Sequence, residues 1–432
     1  MTTEHADVLV VGGGPSGLAA SIELRKLGVG RVIVLDREPV MGGIPRHSDH
    51  LGYGMMDLKR VFTGPRYARW YTRHAAESGA ELRTETSVVG WAGERTVEVT
   101  SAAGAGRIEA NAIILATGCR ERPRSARLVP GTRPAGVFTT GSLQQFVHLH
   151  GHKVGKRAVV VGAEHVAFSA LLTLEHAGTR IAAVVTEQPR HQSYPPFVLV
   201  TATRLRVPVL GGLKVTGILG RERVEAVEVT DLATGTTKQI ACDTVVFSGD
   251  WIPDHELARI AELEMDAGTK GPSVDAALRT SAAGVFAVGN LLHGAETSDV
   301  AALEGRHVAG PVQAWLGGKS WREDPVPVLG DEAVSWIAPN ALQPGESLLP
   351  TSGHFTIRVR RFINGARLEV RQADTVLWEG RPTSGMLDSF APFLPDALLH
   401  GVLVPGRPVH IPATWIGKVQ AGAGPVTVHI KS

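Results

Sequence analysis

Residues 8–20, VLVVGGGPSGLAA, constrain this chain more than any other stretch. They read as a buried strand, a glycine turn and the start of a helix. An apolar run without polar interruption suits a parallel strand covered on both faces. Gly12, Gly14 and Gly17 give G-x-G-x-x-G. The first glycine permits the tight turn, the second lets backbone approach a pyrophosphate, and the third lets helix and strand pack closely. The helix N-terminus turns free N–H groups and a positive dipole end toward that phosphate. Residues 31–36 form the next strand and end in Asp36, 24 residues after Gly12, where a ribose hydroxyl needs an acceptor. Strand, turn, helix and answering acid together point to a dinucleotide-binding unit.

The unit is repeated. Residues 157–161 are apolar, Gly162 opens a second turn, and the strand at 180–185 is followed by Glu187, 25 residues after Gly162. Two βαβ halves are expected, each able to receive a nucleotide. The second turn reads Gly162-Ala-Glu164-His-Val-Ala167. Its second glycine is replaced by Glu164. A carboxylate there opposes a pyrophosphate sterically and by charge, at a cost of several kcal/mol for like charges ~4–5 Å apart.

The chain has 432 residues, enough for about three domains. The expected division is 1–150 and 251–320 for a discontinuous first nucleotide domain. Residues 151–250 form the second, and 321–432 a small β-rich domain. The last part alternates apolar and polar residues between Gly/Pro/Asn turns, as in a small sandwich or barrel. The fold class is α/β with two Rossmann-like domains plus that β-rich tail. A helix is expected over 65–78, with Tyr67, Trp70, Tyr71 and His74 on one face. One strand is expected over 81–89, a small antiparallel insertion over 96–101 and 107–111, and an Ala-rich helix over 300–312.

A net charge of +2 argues against nucleic-acid binding as the main purpose. The first residues lack a basic segment and apolar run, so no signal peptide is expected. No apolar run reaches the ~18–20 residues of a membrane span. A cytoplasmic location follows, with peripheral membrane attachment through a partner left open. Cys119 and Cys242 are far apart and form no C-x-x-C. No metal site is expected, and iron–sulfur or dithiol chemistry must come from another chain.

Four motifs resemble those of the pyridine nucleotide–disulfide oxidoreductase superfamily, flavoproteins with two dinucleotide-binding domains. They are the first turn with Asp36, Ala116-Thr117-Gly118, the turn at Gly162, and the segment from Thr280 to Gly289-Asn290. The resemblance implies FAD. It puts Gly12, Gly14 and Gly17 at the pyrophosphate, Asp36 at the adenosine ribose, the Val88 backbone at the adenine, and Gly289 and Asn290 at the ribityl–phosphate end. Pro15, Ser16, Arg37, Gly43, Ala116, Thr117 and Gly118 join that site. Asn290 stands where the family usually has aspartate, keeping an acceptor but not the charge. No cysteine pair follows Gly42-Gly43, which excludes disulfide reduction.

Within the superfamily the chain resembles flavin subunits of the opine dehydrogenase, hydroxyproline dehydrogenase and hydrogen cyanide synthase type. The segments at 42–47, 63–69, 116–123, 162–170 and 249–253 carry this likeness. The implied function is a dehydrogenase or electron-relay subunit. It acts on an amine, amino acid or related small molecule and passes electrons to a partner protein or quinone. An iron–sulfur or second flavin subunit is an expected partner, in an oligomer or hetero-oligomer. The alternatives are an NAD(P)H-dependent flavin reductase, using Gly162, Ala167 and Glu187 as a degenerate NAD(P) site, and a non-catalytic FAD-holding subunit. Glu164 weighs against NAD(P)H as a second cofactor.

His47 and His50, whose loop should pass the flavin ring, and His293, which the resemblance puts near the flavin, are the candidate bases that could deprotonate a substrate amine; turn-capping or solvent-facing roles are the alternative for His47 and His50. Glu296 and Glu304 read as helix-start and helix-surface groups. Cys119 reads as a packed small residue, and residues 148–152 as a solvated linker. The arginines at 120, 122, 124, 127 and 133 read first as a solvated connector, and second as guides for an anionic ligand.

Overall fold

The computed structural model describes residues 3–194, 199, 204–294, 296–382 and 402–431. The first sheet has seven strands. Thr3–Val11 lies at its centre, parallel to Val32–Leu35 on one side and to Gly104–Leu115 on the other. Glu81–Arg83 extends one edge, parallel to Val32–Leu35. The helix Pro15–Lys26 follows the first strand, with Pro15 in its first turn and Gly28 at φ +81° beyond its end. Val8, Leu9, Val10, Ile33 and Val34 are completely buried. Each such side chain stabilises the fold by roughly 1.5–3 kcal/mol relative to exposure.

Gly104–Leu115 is one twelve-residue strand. The expected separate insertion over 107–111 is therefore the lower half of a longer element. That half pairs antiparallel with Thr96–Ser101, while the upper half pairs parallel with Val285–Ala287. The expected strand 81–89 is broken. Glu81–Arg83 stays in the parallel part of the sheet and Ser87–Gly93 joins the antiparallel part. Between them Glu85 adopts φ +49°, and the N–H groups of Glu85 and Thr86 donate to the carbonyls of Glu38 and Asp36. The helix Gly64–Glu77 buries Tyr67 and Tyr71, with Trp70 stacked on His74.

The second sheet is entirely parallel, in the order Val137–Thr139, Thr244–Phe247, Arg157–Val161, Arg180–Val185, Val209–Leu210. Val137–Thr139 precedes residue 150, yet it pairs in this sheet. A three-stranded antiparallel sheet packs beside it. The two chain crossings between the nucleotide folds, Cys119–Glu121 and Trp251–Pro253, pair antiparallel with each other.

The arginines of the connector staple it. Arg120 bonds Asp254 and Glu256, Arg122 bonds Asp250, and Arg124 donates to the carbonyls of Val129, Pro130 and Thr132. Of the expected linker 148–152, residues 150–152 are exposed loop, but His148 and Leu149 belong to the helical segment Gln145–Leu149. That segment continues the helix Thr140–Gln144 as a wider turn, and His148 Nε2 meets the Thr173 hydroxyl at 3.2 Å.

Among the described residues the tail is a β-sandwich. A five-stranded sheet carrying Val326–Gly330, Val426–Lys431 and Arg367–Gln372 faces a three-stranded one of Val334–Ala338, His354–Val359 and Val409–Pro412. Phe355, Ile357, Leu368, Val370 and Trp415 fill one core between them, with the Phe355 and Trp415 rings stacked at 4.9 Å. The long helix Ser298–Leu316 closes the first domain, and its Gly305 lies against the Ser16 backbone, where a side chain would collide.

Candidate functional site

Register brings the first site together. Val11, Leu115 and Ala287 lie side by side at the carboxyl ends of their strands. Gly12, Ala116 and Gly289 therefore emerge at one edge, the side where such sheets bind ligands. Gly12 sits at φ +116°, and a side chain there would collide with the Ala116 carbonyl. A side chain at Gly17 would collide with the Gly12 carbonyl. At Gly14 an added Cβ would meet nothing within 4 Å. The first and third glycines are thus demanded by the protein's own packing, while the second leaves open space above a helix N-terminus.

Asp36, Gly43 and Ser16 of the expected cofactor set pack about this turn. Asp36 is held by the N–H groups of Gly13 and Glu38, each at 2.9 Å, and burial raises its pKa. Gly43, at φ +61°, lies so close to Gly14 that a Cβ on it would come within 3.0 Å of the Gly14 Cα. Ser16 is buried against Gly289. The Thr117 hydroxyl donates to the Asp254 carbonyl at 2.7 Å, and the Gly118 carbonyl accepts from Asp254 N–H. Arg37 is exposed and pairs with Asp254 at 3.5 Å. Val88 lies on Ser87–Gly93, in the antiparallel part of the sheet. The Asn290 amide and the Glu296 backbone exchange two hydrogen bonds of 3.2 Å. The open face at Gly14 and the groups packed about the turn fit a dinucleotide such as FAD.

The second turn repeats the first in backbone. Gly162 has φ +118°. Glu164 precedes the helix His165–His176 with φ −83°, ψ −179°, as Gly14 precedes its helix with φ −81°, ψ −175°. The side chain makes the difference. The Glu164 carboxyl folds back over the turn, accepts a hydrogen bond from the Ser248 hydroxyl, and lies where a Cβ on Gly162 or Gly249 would meet it at 2.7–2.9 Å. Burial raises its pKa. Arg127 clamps the same strand end by donating to the carbonyls of Ser248 and Gly249 at 3.0 and 2.6 Å. Ala167 is buried in the place of the third glycine, and Glu187 stands exposed at the neighbouring strand end.

A cavity of about 1160 Å³ runs between the two nucleotide folds and reaches the sandwich. Asn290, Cys119 and Ser48 line one part, Gly162, Glu164 and Glu187 another, and Ser352 and Arg358 a third. Cys119 is half-buried in this wall, and Cys242 is buried elsewhere with its thiol pushed up to about 11.

The three candidate histidines part company. His50 lines the cavity. Its Nδ1 meets the Leu51 carbonyl at 2.8 Å, which makes Nδ1 the donor, and its Nε2 faces the Ser48 hydroxyl at 3.0 Å. Burial lowers its pKa, so the ring is neutral at pH 7. His47 is 4 % exposed, lies outside the cavity lining, and has its pKa lowered to about 4 by burial. His293 is buried under the sandwich, stacked on Trp336, with Nε2 2.7 Å from Glu304 Oε1. Burial opposes its charge, but the Glu304 carboxylate outweighs burial and holds the pKa above the ordinary value.

Glu296 and Glu304 are not surface groups. Glu304 accepts from Gly289 N–H at 2.7 Å through its other oxygen, and Glu296 pairs with the buried Arg358 at 2.5 Å. Both partners lie outside the helix that carries or follows them, so helical spacing carries no trace of them.

Two cavity residues escape the sequence reading. His165 opens the second helix, and burial lowers its pKa to about 4. Glu121 accepts from Gly141 N–H at 2.9 Å, and burial raises its pKa. The available signal was position: His165 follows Glu164 in the turn, and Glu121 lies in a crossing strand. Among the described residues no group of histidine, cysteine or acid side chains is arranged to hold a metal ion.

Two nucleotide folds with an open turn in the first define an FAD-type oxidoreductase. The chain belongs to the pyridine nucleotide-disulphide oxidoreductase family, whose profile matches residues 6–305. It is an FAD-dependent oxidoreductase without the family's redox-active disulfide. An opine oxidase subunit of Agrobacterium tumefaciens (strain Ach5) is 28 % identical over 327 residues, covering 67 % of this chain and 61 % of that protein. Hydrogen cyanide synthase subunit HcnB of Pseudomonas aeruginosa is 27 % identical over 260 residues, covering 58 % and 53 %. The chain thus spans somewhat over half the length of these curated relatives. In fold it is similar to the thioredoxin reductase of T. acidophilum, with a TM-score of 0.61 and 22 % identity over 72 % of this chain and 98 % of that one. Among the described residues no helix is long and apolar enough to cross a membrane.

Proposed function

We propose that this chain is the flavin-bearing dehydrogenase or electron-relay component of an assembly. It oxidises an amine, amino acid or related small molecule and passes the electrons to a partner protein or quinone. The observation that carries this reading is the Glu164 carboxyl folded over the second nucleotide turn. It occupies the space that a nicotinamide dinucleotide's pyrophosphate would meet, so the reductant comes from elsewhere. The relatives named as subunits of opine oxidase and hydrogen cyanide synthase support the assembly.

In this reading Gly12, Gly14, Pro15, Ser16, Gly17, Asp36, Arg37, Gly43, Val88, Ala116, Thr117, Gly118, Gly289 and Asn290 hold FAD. Bound flavin supplies hydride acceptance, and the chain positions substrate and manages protons. His50, neutral and in the cavity wall, is the base for a substrate amine. His47 supports that loop from behind. His293 acts at a distance: with Glu304 it fixes the Gly289 backbone. An iron–sulfur or second flavin subunit is the partner class that completes electron removal.

The second reading, an NAD(P)H-dependent flavin reductase, draws on the preserved backbone at Gly162 and on Glu187. Anaerobic mixing separates the two. Flavin bleaching by an amine or amino acid and by neither NADH nor NADPH supports the first reading. Rapid bleaching by a nicotinamide overturns it.

A further inference from the structure

The rim of the large cavity is apolar on its outer side. Ile44, Leu51 and Met55 line the cavity and are also 47 %, 67 % and 43 % exposed. Val40 and Val61 continue the same segment at 57 % and 58 %. Strands Leu51–Tyr53 and Phe62–Thr63 form a short antiparallel hairpin here. The hairpin is anchored from within. Asp299 accepts from the N–H groups of Gly54 and Met56 at 2.8 Å each, and the buried Asp57 accepts from the Tyr67 hydroxyl at 2.9 Å. The exposed side chains therefore project from a fixed backbone.

The fringe is basic. Lys59, Arg60, Arg66 and Arg69 are exposed, against Asp49 as the exposed acid of residues 49–69. The Arg66 guanidinium lies 5.8 Å over the Phe62 ring. Aliphatic side chains fringed by lysine and arginine match the acyl boundary and headgroups of an anionic bilayer.

We infer that this rim seats on an anionic lipid surface. Leu51, Met55 and Val61 enter the acyl boundary, while Lys59, Arg60 and Arg66 lie among the headgroups, and the cavity mouth faces the bilayer. The seating does not depend on which substrate is oxidised.

Vesicle co-sedimentation of the FAD-loaded protein tests this. Vesicles of phosphatidylcholine with about 30 % phosphatidylglycerol are expected to bind it, and those of phosphatidylcholine alone to bind it at least about tenfold more weakly. About 0.5 M salt should reduce binding to the anionic vesicles. The double variant Leu51→Asp/Val61→Asp should lose about tenfold in partitioning with flavin absorbance unchanged. Should that variant fail to fold, Leu51→Trp decides: brominated lipid should quench the added fluorescence. No binding to anionic vesicles overturns the inference and leaves the rim to a protein partner. Binding indifferent to Leu51 and Val61, or added indole fluorescence that brominated lipid leaves unquenched, overturns it equally.

Discussion

Gly14 and Glu164 share one backbone conformation, within a few degrees in φ and ψ, at the entrance to their respective helices. One has open space above it and the other has filled that space with its own carboxyl. The two halves of the repeat have kept a geometry and divided its use.

Exchanging the two residues should exchange the properties. Glu164→Gly removes the carboxyl without disturbing a backbone that already suits glycine. Affinity for NADH or NADPH should rise by about tenfold or more. Fluorescence titration measures it, and an unchanged affinity would count against the carboxyl as the block.

Gly14→Glu is the reverse change. The φ of −81° is one that any residue adopts, so the fold should persist. The protein should purify colourless, with native circular dichroism and no flavin absorbance. A yellow, fully loaded variant would refute the assignment of the first turn.

The buried pair His293–Glu304 ties the Gly289 turn to the long helix. Removing one partner of a buried ion pair typically costs about 3–5 kcal/mol, because the other charge is left uncompensated. Glu304→Ala should lower denaturant stability by that order. Glu304→Gln, which keeps an acceptor for Gly289 N–H, should cost less. The folded-state pKa of His293 is raised, so its contribution is complete below about 6.5 and is lost as pH rises through the raised value. Equal losses in the two variants would show that the hydrogen bond to Gly289 adds nothing.

His47 gives the opposite dependence. Its pKa falls from 6.5 to about 4 on folding, so the unfolded chain binds the extra proton between those values. Stability should fall as pH drops through this window, by up to about 1.4 kcal/mol per pH unit from this one group. His47→Gln should flatten the slope of urea midpoint against pH between 6.5 and 4. An unaltered slope would remove His47 from the account.

What could be read from the sequence follows from how local each signal is. The turn at Gly12–Gly17 is legible because packing inside one βαβ unit demands two of its glycines. The sandwich strands are legible because alternation is a period-two property of the strand itself. The break at Glu85 was not, because it depends on the backbone of Glu38 and Asp36, far back in the chain. The start of the strand Gly104–Leu115 was hidden by Gly104 and Gly106, which resemble a turn. Only Gly104 turns the chain, and Gly106 pairs with Val99 within the ladder. Glu296 and Glu304 look like solvent-facing acids until Arg358 and His293 arrive from other elements. The direction of the Glu164 side chain was equally out of reach, since Ser248 and Gly249 lie more than eighty positions downstream.

The strand Gly104–Leu115 changes neighbours halfway along its edge, and this has a consequence for synthesis. When its upper half leaves the ribosome, the strand that will cover it, Val285–Ala287, has not yet been made. The whole second nucleotide fold must be translated first. Ile113, Ile114 and Leu115 wait meanwhile with an unpaired hydrogen-bonding edge, the kind that invites pairing with another nascent chain. The antiparallel crossing of Cys119–Glu121 with Trp251–Pro253 returns the chain to the point it left. It thereby delivers the missing strand to the vacant edge.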